Sequence, residues 1–167
     1  MKMSAELIQN LNEQLNKELY ARYMYLTIAS YFIENGYDGF GAFFLKQSEE
    51  EGEHAMRLFE YMMERDIPFT PMSIQAPPKD FASPLACFKT SYEYEQEVTR
   101  SYHALFKKVR ESGEYDAEEF LLWYIKEQRE EEALMRHWVE KLSMADENSA
   151  ALLFLDKEAR KAAEKEE

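Results

Sequence analysis

Residues 67–84 read IPFTPMSIQAPPKDFASP, and all five prolines of the chain (Pro68, Pro71, Pro77, Pro78 and Pro84) fall inside this stretch. Proline has no amide donor and clashes with the preceding helical turn, so these residues cannot form a helix interior. Residues 1–66 and 85–167 contain no such breaker. Glycines are equally sparse, at 36, 39, 41, 52 and 113. A sheet protein would need a turn signal roughly every 8–12 residues, so all-β and α/β folds are excluded. What remains is all-α: two long helical halves around one extended connector.

Apolar residues recur at helical spacing on both sides of the connector. Over about 4–35, Leu7, Leu11, Leu15, Leu19, Leu26, Ala29 and Phe32 form one broad face, with Ser4 as N-cap and Gly36 as terminator. A second helix, about 39–65, turns Phe40, Phe43, Phe44, Leu58, Tyr61 and Met62 inward, and the short link makes the pair antiparallel. Extended, residues 67–83 can span the roughly 40 Å length of the second helix and carry the chain back to its start. Ser83-Pro84 then opens a third helix, about 84–112, with Phe88, Tyr92, Val98, Tyr102, Phe106 and Val109 inward, closed by Gly113. The fourth, about 116–144, carries Leu121, Tyr124, Met135, Trp138 and Leu142, and a short fifth covers about 150–160. The expectation is a single domain over 1–167: a four-helix up-down-down-up bundle with one long crossover between helices 2 and 3 plus a short C-terminal helix. Leu152, Leu153, Phe154 and Leu155 are too apolar for a free tail, and the core is complete without them, so they are expected to pack on a neighbouring subunit.

Asp and Glu number 33 against 20 Lys and Arg, a formal charge of -13. That balance argues against nucleic acid, whose binding rests on basic clusters, and suits the attraction of cations. One cysteine, Cys87, cannot form an internal disulfide, and no long apolar run or leader is present. The expectation is a reduced, cytoplasmic setting without a membrane partner.

The decisive pattern is where carboxylates interrupt the inward stripes. Glu18 lies between Leu11 and Tyr25, Glu51 and His54 between Phe44 and Leu58, Glu95 between Tyr92 and Tyr102, and Gln128 and Glu131 between Tyr124 and Met135. Glu18 precedes Gly36 by 18 residues and His54 follows it by 18; Glu95 and Glu131 flank Gly113 by the same 18. At about 1.5 Å per residue each group sits about 27 Å from its hairpin turn, on one level of the bundle. The two halves match at an offset of 77: Glu18 with Glu95, Glu51 with Gln128, His54 with Glu131. Taken singly, each is a solvated carboxylate or a rim residue. Six such positions on four helices, facing one another in a low-dielectric core with no Lys or Arg at their level, call for a cation. Oxygen-rich donors with a lone imidazole fit the di-iron carboxylate arrangement, with iron or manganese preferred over a closed zinc site. His103 and His137 lack this support and read as surface or rim residues, and Cys87 as a buried filler.

At this point the chain resembles the bacterial and archaeal non-haem ferritins over essentially its whole length. The resemblance is carried by LNEQLNKELY (11–20), EEGEHAM (50–56), YEQ (94–96), FLLWY (120–124), EQREEE (127–132) and FLDKE (154–158). It implies an iron-storage cage, a homo-oligomer of 24 subunits, whose bundles oxidise Fe(II) with O2 or H2O2 and pass Fe(III) to a mineral. Glu18, Glu51 and His54 match the ligands of a first iron, Glu51 bridges to a second held by Glu95 and Glu131, and Gln128 matches the family's glutamine beside that pair. Glu50, Glu127, Glu130 and Glu131 match the ligands of a third iron site. Tyr25 matches a tyrosine implicated in electron transfer. Haem is not expected, because Gly52 stands where a bacterioferritin has its methionine ligand and Gln128-Arg129-Glu130-Glu131 replaces a second Glu-x-x-His. Two rival readings keep the same bundle: a catalytically inactive structural subunit, and a di-metal carboxylate oxidase.

Overall fold

In the computed structural model, which describes residues 3–165, the Ser4 side chain accepts a hydrogen bond from the Leu7 amide (3.2 Å) and opens α1 (Ala5–Glu34). Gly36, at φ +81°, reverses the chain into α2 (Asp38–Glu64). Ser83 caps α3 (Pro84–Ser112) through the Ala86 amide (3.1 Å), with Pro84 in the first turn, where its missing N–H costs nothing. Gly113, at φ +74°, leads into α4 (Tyr115–Ala145), and Asn148 caps α5 (Ser149–Glu164). No strand occurs among the described residues.

Helix directions follow from which residues meet. Across α1 and α3, Tyr94 donates to the Lys17 carbonyl and Lys108 to Glu6. Across α2 and α4, Arg65 pairs with Asp116, Tyr61 stacks on Phe120, and Phe43 meets Trp138. Residue numbers rise along one helix as they fall along the other in each case, which is the up-down-down-up bundle. Asn12 and Asn16 of α1 hold the crossover backbone: the Asn12 amide donates to the Pro68 carbonyl (3.0 Å) and accepts from the Thr70 amide (2.6 Å), and Asn16 donates to the Ser73 carbonyl (3.2 Å). A proline-rich strap that cannot satisfy its own polar groups is thereby satisfied by side chains.

The core is two apolar clusters with a polar level between them. Phe32, Phe40, Phe44, Phe88 and Trp138 interlock near the α1–α2 turn, with the Phe44 and Phe88 centroids 4.8 Å apart. Leu11, Leu58, Met62, Val109 and Leu121 fill the other end. Each fully buried side chain of this kind contributes about 1.5–3 kcal/mol. These two blocks fix the helices rigidly enough to hold uncompensated polar atoms between them.

Two expectations are corrected. Leu26 does not face inward but is half exposed (49%), because the buried stripe runs through Glu18, Tyr25, Ala29 and Phe32, and Leu26 lies about 100° round from Tyr25. The fifth helix departs from expectation in part: of its four apolar residues, Leu152 and Leu155 pack into the aromatic cluster of their own bundle, whereas Leu153 and Phe154 are exposed on its outer side. The seat is specific: Asp156 accepts from the Phe40 amide (2.8 Å), and its backbone oxygen lies 1.8 Å from where a Cβ on Gly39 would stand. Cys87 is fully buried, and His103 and His137 are exposed.

Candidate metal centre

Each helix delivers its polar residue through the same periodicity that builds the apolar face. Glu18 follows Leu11 and Leu15 on the buried stripe of α1, and Glu95 occupies that place between Ser91 and Val98 on α3. Glu51 and His54, three apart, share one face of α2, as do Gln128 and Glu131 on α4. All six are at least 95% buried.

The side chains converge as two groups of three. Ligand atoms of Glu18, Glu51 and His54 lie within 4.8 Å of one another, as do those of Glu51, Glu95 and Glu131, so Glu51 belongs to both. His54 Nδ1 stands 3.3 Å from Glu51 Oε2 and 3.7 Å from Glu18 Oε2 without an aligned hydrogen bond, and its Nε2 is 3.5 Å from Glu127 Oε1. Around this pair a polar frame is fully bonded. The Tyr25 hydroxyl donates to Glu95, Gln128 donates to the other Glu95 oxygen (3.0 Å), the Tyr102 hydroxyl donates to Glu18, and Tyr124 donates to the His54 carbonyl (2.7 Å).

Inside the frame, Glu51 Oε1, His54 Nδ1 and Glu131 Oε2 are buried with no hydrogen-bond partner. An unpartnered buried polar atom costs about 1–3 kcal/mol, and these three belong to the overlapping groups whose ligand atoms gather within 4.8 Å, a place for cations. Without one, the protein compensates with protons. Burial and the neighbouring Glu95 charge hold Glu51 and Glu131 well above the ordinary carboxylate range. Burial pushes Glu95 up to about 7 against the opposing bonds from Tyr25 and Gln128. Burial would also raise Glu18, but His54, Glu51 and Tyr102 outweigh it and keep it low. His54 is held well above its usual value because Glu127, Glu18 and Glu51 outweigh its desolvation. Two divalent ions could replace those protons, and the donor set, carboxylates with one imidazole, fits hard or borderline first-row metals.

The outer set is less closely gathered. Glu50, Glu127, Glu130 and Glu131 line one cavity of about 300 Å³, together with Lys46 and Lys165. Of these, Glu127 and Glu131 form a compact group with His54, whereas Glu50 and Glu130 belong to no compact group among the described residues. Glu50 accepts from Gln47 (2.9 Å) and faces Lys46 (3.8 Å), and Glu130 lies 3.8 Å from Lys126 with its side chain mostly exposed. Gly52 lies beside the Arg22 guanidinium, whose Nη1 is 2.6 Å from where a Cβ would stand, so no larger side chain fits there without moving the arginine.

Two residues that touch the centre, Tyr102 and Tyr124, read from the periodic pattern only as core. A signal existed for Tyr102, since the offset of 77 that pairs Glu18 with Glu95 also pairs Tyr25 with Tyr102.

Known proteins resemble the chain over most of its length. The Ferritin family model, described as a ferritin-like domain, matches residues 8–145. Bacterial non-heme ferritin of Campylobacter jejuni is 38% identical over 154 residues, 92% of either chain, and that of Staphylococcus aureus is 35% identical over 156 residues, 93% of this chain and 94% of its own. An open pore ferritin from the hyperthermophilic archaeon Archaeoglobus fulgidus superposes with a TM-score of 0.94 at 38% identity, covering 99% of this chain and all of that one. An engineered closed form of the same archaeal protein gives 0.92 at 40% identity, covering 95% and 97%.

Proposed function

We propose, from the premise that this chain belongs to the ferritin family, that it takes up Fe(II), oxidises it at the buried centre and stores the Fe(III) as mineral inside a cage of 24 copies. The observation that carries the reading is the convergence of Glu18, Glu51 and His54, and of Glu51, Glu95 and Glu131, in two buried groups whose ligand atoms lie within 4.8 Å, with Glu51 Oε1, His54 Nδ1 and Glu131 Oε2 left without a hydrogen-bond partner. Glu18, Glu51 and His54 would hold one ferrous ion, Glu51, Glu95 and Glu131 the other, with Glu51 common to both.

The chemistry divides between iron and protein. Each Fe(II) gives one electron, and the pair reduces O2 to H2O2, or H2O2 to two waters, with uptake of two protons. Side chains supply the rest. The carboxylates stabilise the ferric charge, and their protons leave as iron enters. Gln128 and Tyr25 hold Glu95 from both oxygens, so that its orientation survives loading and release. Glu50, Glu127 and Glu130, around the adjoining cavity, form a third, looser iron position on the way out of the centre. The acidic surplus of the chain draws cations toward it. The setting we assign is cytoplasmic; no helix among the described residues is long and apolar enough to cross a membrane.

Aerobic addition of Fe(II) tests this directly. Oxidation well above the buffer rate, a soluble ferric product and a particle near 24 times 19.8 kDa are expected. Assembly without accelerated oxidation would leave a structural subunit instead.

A further inference from the structure

We infer that Tyr102 is a positioning residue for Glu18, holding that carboxylate so that one defined oxygen faces the first metal position. The inference rests on the reading of Glu18 as a ligand. Tyr25 and Tyr102 stand 77 residues apart, the same offset that relates Glu18 to Glu95. The bonds cross between the halves: Tyr25 of α1 donates to Glu95 of α3, and Tyr102 of α3 donates to Glu18 of α1. The pseudo-twofold of the bundle thus includes a tyrosine for each terminal carboxylate.

Tyr102 is built for this task. It is fully buried, where a phenylalanine would fill the same volume without a hydroxyl to desolvate. Its ring stacks on Tyr124, with centroids 4.7 Å apart and planes 17° from parallel, and the Tyr124 hydroxyl is tied to the His54 carbonyl. The ring cannot swing, so its hydroxyl stays on Glu18 Oε1 and leaves Oε2 facing His54 Nδ1 at 3.7 Å. The symmetry is incomplete at one point. Glu95 is anchored by Tyr25 and by Gln128, but the residue matched to Gln128 is Glu51, the carboxylate common to both metal groups. Glu18 therefore depends more heavily on its tyrosine than Glu95 does.

Crystals of the whole protein soaked without oxygen in graded cobalt(II), read by anomalous scattering, give the occupancy of each position, and the visible d–d bands in solution report coordination. In Tyr102→Phe the position at Glu18, Glu51 and His54 should half-fill at about tenfold higher cobalt and show altered bands, while the position at Glu95 and Glu131 stays within about twofold. Tyr25→Phe should move the second position by less, because Gln128 remains. Unchanged first-position occupancy and bands in Tyr102→Phe, or an equal shift of both positions, would overturn the inference and leave Tyr102 as packing. No cobalt at either position of the unaltered chain would overturn the metal-centre reading itself.

Discussion

The α1–α2 hairpin and the α3–α4 hairpin place polar residues at the same levels, yet they are chemically unequal. The first contributes Glu18, Glu51 and the imidazole of His54; the second contributes Glu95, Gln128 and Glu131. A glutamine at the place matched to Glu51, the carboxylate common to both groups, removes one carboxylate and adds a donor, which Gln128 spends on Glu95. A glutamate in place of histidine makes the second metal group all-oxygen. Backbone symmetry therefore sets where two ions would sit, and two substitutions across that symmetry would make the two positions hold them differently. The same inequality extends to packing: α5 is seated at Gly39, beside the turn of the first hairpin, and among the described residues no further helix takes the matching place at the Gly113 turn.

The comparison breaks most completely at the residue common to both groups. Glu51→Gln should lower the initial rate of Fe(II) oxidation on the order of 100-fold, since both positions would lose a ligand. Rates followed by ferric absorbance check this, and a loss below threefold would count against the shared role.

Protons sharpen it next. Glu95, raised to about 7, must be ionised to bind iron, so lowering the pH from about 8 to about 6 should weaken metal binding at its position by about tenfold, with Glu51 and Glu131 adding in the same direction. The sign is loss of affinity with acid. Calorimetric titration with a redox-inert divalent ion, in two buffers of different ionisation enthalpy, should show protons released on binding.

Restoring the symmetry is the third test. Gln128→Glu with Glu131→His gives the second hairpin the donor set of the first, and the affinities of the two positions should converge to within a few fold, read from graded metal soaks. The smallest effect is structural. Gly39→Ala sets a Cβ against the Asp156 carbonyl and should displace α5 at a cost of about 1–3 kcal/mol. Melting should fall by about 2–12 °C, with the metal centre unchanged.

Much of this was legible in the sequence, for a definite reason. Helical faces are local: Phe32, Phe44, Phe88 and Trp138 each fall on the apolar period of their own helix, and Pro68 to Pro84 mark the one segment that cannot be helical. Distances from Gly36 and Gly113 convert directly to heights along the bundle, so the level of Glu18, His54, Glu95 and Glu131 needed only the helical rise. Azimuth does not convert so directly. One residue is about 100° of rotation, and that single step puts Leu26 outside the buried face.

What the sequence determined by itself is therefore one-dimensional: helix order, the crossover, and the heights at which carboxylates meet. Tertiary structure alone decided which atoms find partners. Tyr102 reaches Glu18, Gln128 reaches Glu95, Asp156 reaches Phe40, and Glu51, His54 and Glu131 each keep one atom with no partner. These contacts join residues 33 to 116 positions apart, and hydrogen bonds depend on direction and on tenths of an ångström. A periodic pattern carries neither.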